Sequence, residues 1–292
     1  MQKTKEQGGD RAFSILVHVT LALLAVATVY PFINIIAQAF SGYIPNVKGK
    51  VFLIPMEFQT GTFGRVVLSS RYLNAVWISL RVTLFGTVLS VVMTSLAAYP
   101  LSRRRLSGRG FVTAAYVFTM MFSGGIVPSY ILMRSLKLIN NIWVMILPAA
   151  MSVYNMLVLK SNFESIPPSL EESAQIDGAS DFRTFMQIMV PVSLPTYAAI
   201  TLFISVGYWN SYQSAVLYIT KTHLKPLQMY LVDVINYAAD PLKNLDATMM
   251  EMDSPSGVQA CAILAATVPV LLVYPFFQRY FVKGIMIGSV KE

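Results

Sequence analysis

The sequence predicts an all-α membrane protein with six transmembrane helices, and three observations support this fold class. Hydrophobic residues make up 55% of the 292 positions, charged residues only 12%, and the mean hydropathy is +0.58. Soluble domains carry about 25% charged residues. Several apolar runs reach the roughly 20 residues that a spanning helix needs. Gly and Pro occur inside several of these runs, as membrane helices tolerate.

Six apolar runs define the predicted spans. They lie at 13–40, 73–101, 111–133, 142–160, 191–217 and 257–282. The first run is long and lacks a small-residue cleavage site, so we expect a retained anchor rather than a signal peptide. No repeat and no low-complexity linker divides the chain, which predicts one transmembrane domain over residues 1–292.

The orientation of the spans rests mainly on the short loop SRRRLSGRG at 102–110. It holds Arg103, Arg104, Arg105 and Arg109, and short loops rich in Arg and Lys stay on the cytoplasmic side. We therefore expect both termini, a loop at 161–190 and the tail at 283–292 in the cytoplasm. The loops at 41–72 and 218–256 are then outside.

Several functions are disfavoured by residue type and spacing. The net charge of +8 is spread over many loops, unlike the clustered basic face that binds nucleic acid. No Gly-rich phosphate loop or metalloprotease motif occurs, and His18 and His223 are far apart in the sequence. Cys261 is the single cysteine, which excludes an internal disulfide. We expect no enzyme activity and no cofactor or metal in this chain.

Polar residues inside spans are costly, so they are candidates for a translocation path. The segment YWNSYQ at 208–213 combines aromatic rings with amides, which suits sugar stacking and hydroxyl recognition. An interfacial aromatic belt with helix–helix hydrogen bonds explains it equally well. The candidates for this path are Asn155, Trp209, Asn210, Tyr212 and Gln213. Arg81 lies about two turns from the outer end of its span, where snorkelling to the headgroups is the favoured interpretation.

A polar stretch between two spans, EESAQIDGASDFRTFMQIMVPVSLP at 171–195, predicts a helix-turn-helix. Ser169 and Glu172 have the spacing of a capping box, and Gly178 is suited to end the helix near Asp177. A second helical pattern follows, in which Phe182, Phe185, Met186 and Met189 share one face. A helix this short is marginal alone in water, so we expect it to dock on a partner. A solvated loop with one helical turn remains an alternative.

The same loop resembles the EAA motif of binding-protein-dependent ABC importer permeases. That motif reads Glu-Ala-Ala, three residues, Gly, nine residues, Ile, one residue and Leu-Pro. Its counterparts here are Glu172, Ser173, Ala174, Gly178, Ile188, Val190 and Pro191. Ser173 and Val190 depart from the motif, and both substitutions are conservative in size. The extended motif matches at Asp177, Ala179, Phe185 and Pro195.

The resemblance extends over nearly the whole chain and indicates the carbohydrate-uptake group, on the side of the smaller maltose permease. The matching segments are AYPLSR at 98–103, WN at 209–210, PLQ at 226–228 and QRYFVKG at 278–284. FSGGIVPSY at 122–130 and NIW at 141–143 resemble the branch that imports polysaccharide-derived oligosaccharides, such as those of alginate. A permease for a non-sugar solute and an ion-coupled secondary transporter remain alternatives. None of the fourteen acidic residues lies in a predicted span, which argues against the second.

The resemblance implies a type I permease fold in the bacterial inner membrane. Its implied partners are a second homologous permease, an ATPase dimer that carries ATP and Mg, and a solute-binding protein that delivers an oligosaccharide. It implies contact of the outer loop 218–256 with the binding protein and contact of the tail residues Gly284, Ile287 and Gly288 with the ATPase. It also implies that the loop couples to the ATPase through Glu171, Glu172, Ser173, Ala174, Asp177, Gly178 and Ala179.

Overall fold

The structure, a computed structural model, describes residues 8–122, 124–239, 253–269 and 271–272, and these contain helices and no β-strand. The α-helices are α1 (Gly8–Ala39), α2 (Tyr43–Val47), α3 (Gly61–Leu68), α4 (Ser70–Ser102), α5 (Arg109–Met121), α6 (Ile126–Ser135), α7 (Val153–Ser165), α8 (Pro168–Ile176), α9 (Asp181–Thr184), α10 (Val190–Val192), α11 (Leu194–Asn210), α12 (Gln213–Tyr218), α13 (Leu227–Ala239) and α14 (255–269). Short 3₁₀ segments lie at Ile142–Met145, Leu147–Ala149 and Thr222–Leu224, and a π-helical segment at Phe185–Met189.

The chain forms two compact units. The first comprises Met1–Ser69 with Leu231–Val268, and the second comprises Ser70–Tyr230 with Pro269–Glu292. α4 is the centre of the second unit, where it packs most extensively on α11 and α7. Its buried positions are mostly small residues, which let neighbouring helices approach closely in a membrane. They include Ala75, Ser79, Gly86, Ser90, Thr94 and Ala98.

The core of the second unit consists of two apolar clusters along α4. One surrounds Ile78 and Val82 and includes Ile146 and Tyr208. The other surrounds Tyr99, close to the carboxyl end of α4, and includes residues from the segments on either side of α8. Its buried members are Ala98, Tyr99, Leu101, Met156, Leu159, Phe163, Phe185, Met189, Tyr197 and Ile200.

Tyr208 connects three parts of this unit. Its hydroxyl lies 3.0 Å from Ser90 Oγ on α4 and donates to the Ile146 carbonyl at 3.1 Å. Its ring lies against Gly86, where a Cβ would fall 2.6 Å from the nearest ring carbon. Glycine at position 86 is therefore required by this close approach of the ring to α4.

Two described helices, Phe13–Ala39 and Ser70–Ser102, are long and apolar enough to cross a membrane singly. Three further helix pairs pass the same test together but are bent, which gives up to five spans among the described residues. Ile142–Ala149 meets Val153–Ser165 at 47°, and Asp181–Val192 meets Leu194–Asn210 at 82°. The sequence analysis gave the bounds of these runs but did not predict the bends, because an apolar run does not report the angle between its halves. The predicted span at 257–282 begins in α14, and much of it lies outside the described residues.

The first unit contains a polar cluster that links α3 to Asp253, two residues before α14. Arg65 Nε donates to Asp253 Oδ2 at 2.7 Å and Arg65 Nη2 donates to Asp253 Oδ1 at 2.5 Å. Thr62 Oγ1 also donates to this carboxylate. The hydrogen bond to Asp253 raises the pKa of Arg65 above its usual value. This arginine therefore stays charged at any pH near neutrality.

Candidate functional site

The helix predicted in the polar loop is α8, Pro168–Ile176, and it begins differently from the sequence prediction. Its N-cap is Pro167 and Pro168 occupies the first helical position, with no side-chain hydrogen bond capping the helix. Proline is favoured there because its fixed φ suits the first turn and its missing N–H would be unpaired anyway. The predicted capping box of Ser169 and Glu172 is therefore wrong, because Pro167 takes the N-cap position, two residues before Ser169.

The carboxyl end of α8 confirms the predicted stop at Gly178. This glycine has φ +78°, in the left-handed region. The Gly178 N–H donates to the Gln175 carbonyl at 3.0 Å and the Ala179 N–H donates to the Ala174 carbonyl at 2.9 Å. These two bonds form a Schellman motif, which satisfies carbonyls that a helix end leaves free. The helix thus has nine residues and a fixed end.

Most of α8 faces outward. Ala174 is its buried residue, at 6% exposure, whereas Glu172, Ser173 and Asp177 are exposed. Ile176 is 86% exposed, which is unusual for a side chain of this size and polarity. A free carboxylate beside an apolar side chain suits a mixed polar and apolar contact with another protein.

The segment that follows α8 contains a π-helix, which the sequence did not predict. Phe185 and Met189 are buried at 3% and 1%, whereas Phe182 is 64% and Met186 46% exposed. The four residues, predicted to share one face, are thus divided between buried and exposed positions, because the prediction assumed 3.6 residues per turn. The π-helical turn at Phe185–Met189 is wider.

Glu171 is held by the carboxyl end of α4. Arg103 Nη1 donates to Glu171 Oε2 in a close ion pair, and the Tyr99 hydroxyl donates to Oε1 at 3.4 Å. The Arg103 guanidinium also lies over the Tyr99 ring, 4.7 Å from its centroid. The side chains of Arg103 and Glu171 are each only 13% exposed. We call Tyr99, Arg103 and Glu171 the Glu171 cluster.

A second contact joins the same basic loop to α9. Arg105 Nη2 donates to Asp181 Oδ1 and lies 3.9 Å from Glu171 Oε1. The hydrogen bond to Asp181 raises the pKa of Arg105 above its usual value. A cavity of about 380 Å³ lies beside these residues, with Leu96, Leu106 and Phe182 in its wall. The loop 161–190 is thus attached to the end of α4 by two carboxylates.

The five candidates for a translocation path differ in burial. Asn155 and Trp209 are buried at 8% and 7%, whereas Asn210, Tyr212 and Gln213 are exposed. α11 ends at Asn210, whose Oδ1 accepts from Gln228 Nε2 at 3.4 Å, and α12 starts at Gln213. The segment YWNSYQ therefore crosses a helix break rather than lying within one span.

Arg81 is exposed on α4, and its guanidinium lies 4.8 Å from the centroid of the Trp77 ring. Trp77 is one turn nearer the amino end of the helix. The side chain thus extends toward the end of α4 that the sequence predicts to lie at the outer surface, which supports the snorkelling interpretation.

Sequence reasoning missed the pairs Arg103–Glu171 and Arg65–Asp253. A signal was available for the first, because the basic loop at 102–110 and the acidic loop at 171–181 were both predicted on the cytoplasmic side. Opposite charges on one face are candidates for pairing. The predicted tail contacts Gly284, Ile287 and Gly288 lie outside the described residues.

The fold and these loops define a class of protein, a membrane permease with several spans and a short polar helix between two of them. The chain matches the family model described as "Binding-protein-dependent transport system inner membrane component" over residues 15–287. It therefore belongs to this family and is an inner membrane component of such a transport system. This membership overturns the alternative of an ion-coupled secondary transporter.

Two relatives from Bacillus subtilis (strain 168) match over nearly their whole length. The polygalacturonan/rhamnogalacturonan transport system permease protein YtcP is 39% identical, over 97% of this chain and 99% of the relative. Protein LplC is 35% identical, over 100% and 98%. The lactose transport system permease protein LacG of Rhizobium radiobacter is 26% identical, over 95% and 96%.

Solved structures give the same fold. A chain of a bacterial ABC transporter involved in the import of the acidic polysaccharide alginate matches with a TM-score of 0.89 at 30% identity. The match covers 96% of this chain and 100% of that chain. The predicted all-α fold of a type I ABC importer permease is therefore confirmed.

Proposed function

We propose that this chain is the permease subunit through which an ABC importer moves acidic oligosaccharides derived from polysaccharides into the cytoplasm. The observation that carries the proposal is the 39% identity along 97% of the chain to a permease named for polygalacturonan and rhamnogalacturonan. The structural match to a transporter of alginate, another acidic polysaccharide, supports the same substrate class. Both matches cover nearly the whole of this chain and of the related permease.

The proposed complex contains a second permease, a dimer of ATPase subunits with their ATP and Mg, and a solute-binding protein outside the membrane. In this proposal both termini and α8 are cytoplasmic, and the loop 218–256 meets the binding protein. The exposed carboxylate of Glu172 and the exposed Ile176 support a docking role for α8 on the ATPase. The buried Ala174, the left-handed Gly178 and the Ala179 N–H that closes the helix end support its fixed shape, while Glu171 attaches it to its surroundings.

The mechanism that we propose is alternating access driven by the ATP cycle of the partner. Closure of the ATPase moves α8, and the helices attached to α8 rotate as rigid bodies. The nucleotide can drive this change only if it binds the two conformations with different free energies. The proposed translocation path keeps the five candidates: Trp209, Asn210, Tyr212 and Gln213 lie at the helix break after α11, and Asn155 lies on α7.

The test is to purify the chain with its partners and measure ATP hydrolysis in the presence of the binding protein. Oligogalacturonides and alginate oligosaccharides are compared with a neutral maltooligosaccharide of equal length and with an amino acid mixture. We expect hydrolysis to rise at least about fivefold with an acidic oligosaccharide, in the range of allosteric coupling. The carbohydrate assignment would be overturned if only the amino acids stimulated ATP hydrolysis, or if none of the sugars did.

A further inference from the structure

We infer that Arg103 and Tyr99 are positioning residues that attach the coupling helix α8 to α4, so that the two move as one body. This inference rests on the proposed function, because it assigns the route by which movement of α8 reaches the spans. The juxtaposition that carries it is the Glu171 cluster, in which two residues one turn apart on the end of α4 hold one carboxylate of α8.

The first step concerns how weakly α8 is otherwise anchored. Ala174 is the buried residue of this helix, Glu171 is partly buried, and the other residues are exposed. A methyl group offers little apolar area to hold a helix. The ion pair of Glu171 with Arg103, with both side chains 13% exposed, is therefore a main attachment of α8 to the rest of the unit.

The second step concerns the arginine itself. Arg103 Nε and Nη2 are buried without an acceptor among the described residues, and one guanidinium face is covered by the Tyr99 ring. Glu171 is thus the acceptor that compensates this buried charge. Separating the two side chains would leave a poorly solvated cation, and such a separation is costly. The pair is therefore expected to stay closed while α8 moves.

The third step concerns where the movement goes. α4 packs on both α7 and α11, and these three helices supply most of the core of the unit. α8 is joined to α7 and α9 by short connections, so without the cluster a push on α8 reaches α4 only indirectly, through these chain neighbours. Through the Glu171 cluster the same push reaches α4 directly. The cluster thus explains why AYPLSR, at the end of α4, carries a tyrosine and an arginine four residues apart.

The experiment uses the whole importer in vesicles, with the binding protein and whichever solute stimulates the wild-type complex. The variants are Arg103→Glu, Glu171→Arg and the two together, and the measured quantity is solute imported per ATP hydrolysed. We expect each single change to lower this ratio about tenfold while ATP hydrolysis persists, and the exchanged pair to restore it to within about threefold.

The chain offers a matched control in Arg104, which is exposed in the same loop and forms no ion pair among the described residues. Arg104→Glu should leave the ratio unchanged, and Arg104→Glu combined with Glu171→Arg should not restore it. A purely structural role would lower import and assembly together and would leave the solute imported per ATP hydrolysed unchanged in the complexes that do assemble. The inference is overturned if the exchange brings no recovery or if Arg104→Glu acts like Arg103→Glu.

Charge reversal could prevent assembly, so Arg103→Lys provides a milder test against Arg104→Lys. Lysine keeps the charge but loses the flat group that stacks on Tyr99. A lower transport ratio in Arg103→Lys alone supports the inference, and equal ratios in both variants contradict it. If no oligosaccharide stimulates the wild-type importer, the proposed substrate class is wrong. The ion pair between Arg103 and Glu171 is then tested separately, by whether the Tm shifts of the single variants cancel in the exchanged pair.

Discussion

Gly86 shows how one residue can fix the spacing of two membrane helices. A Cβ at this position would lie 2.6 Å from the Tyr208 ring, and the ring carbons cannot give way because the hydroxyl is held by Ser90 and Ile146. We expect Gly86→Ala to displace the ring and to cost about 1–3 kcal/mol, the range found for overpacked cores. Thermal unfolding of the detergent-purified complex would measure the loss.

Gly207 is the matched control for this substitution. It lies next to Tyr208 on α11, and a Cβ there meets nothing within 4 Å. Alanine also has the higher helix propensity, so Gly207→Ala should leave the Tm unchanged or raise it. An equal Tm for Gly86→Ala and Gly207→Ala would contradict the close approach of Tyr208 to α4.

At the scale of one element, α8 separates two neighbouring glutamates that the sequence could not tell apart. Glu171 is turned into the protein toward Arg103, and Glu172 is exposed. Because Glu172 forms no hydrogen bond within the described residues, reversing its charge should leave the fold intact. We expect Glu172→Lys to abolish import, lowering it at least about tenfold, while basal ATP hydrolysis persists or falls. Uptake into reconstituted vesicles would measure this effect.

Ser161→Lys is a suitable control, because Ser161 is exposed near the end of α7, on the same predicted side of the membrane. It adds a positive charge without touching α8 and should import normally. Wild-type import by Glu172→Lys would remove the basis for a docking role of this glutamate.

The first unit offers an element-scale test of its own at Arg65. The Asp253 side chain is 2% exposed, and removal of Arg65 would leave this carboxylate buried without its cation. Breaking a buried pair costs about 3–5 kcal/mol, and we expect the lower end because the Arg65 side chain is 42% exposed. Arg65→Ala should therefore lower the Tm clearly. Lys50→Ala, a loss of charge at an exposed site in the same unit, should change stability by less than about 0.5 kcal/mol.

The limits of sequence-based prediction follow the range of the interactions involved. The end of α8 was predictable because a Schellman motif needs only the local preference of Gly178. Its start was mispredicted because Pro168 and Ser169 are both residues that commonly begin a helix, and the sequence alone does not show which of the two does so here. The wide turn at Phe185–Met189 and the ion pair of Arg103 with Glu171 depend on packing between distant segments, which periodicity does not report.

At the scale of the whole molecule, the proposal predicts which side of the membrane each loop faces. The basic loop at 102–110 predicts one orientation, and the chain provides a convenient means to test it. Cys261 is the single cysteine and is fully buried, so a membrane-impermeant maleimide should not label the unaltered chain. Ser107 and Lys50 are both exposed, in loops predicted on opposite sides.

We expect Lys50→Cys to be labelled in intact spheroplasts and Ser107→Cys only after the membrane is permeabilised. The physical reason is that Arg103, Arg104, Arg105 and Arg109 keep their short loop on the cytoplasmic side during insertion. Denaturation in detergent should make both positions equally reactive, which controls for the reactivity of each thiol. Labelling of Ser107→Cys in intact spheroplasts would show that the orientation is opposite to the predicted one. α8, which the Glu171 cluster ties to the same loop, would then face away from any cytoplasmic ATPase, and the coupling role of Glu172 would fail with it.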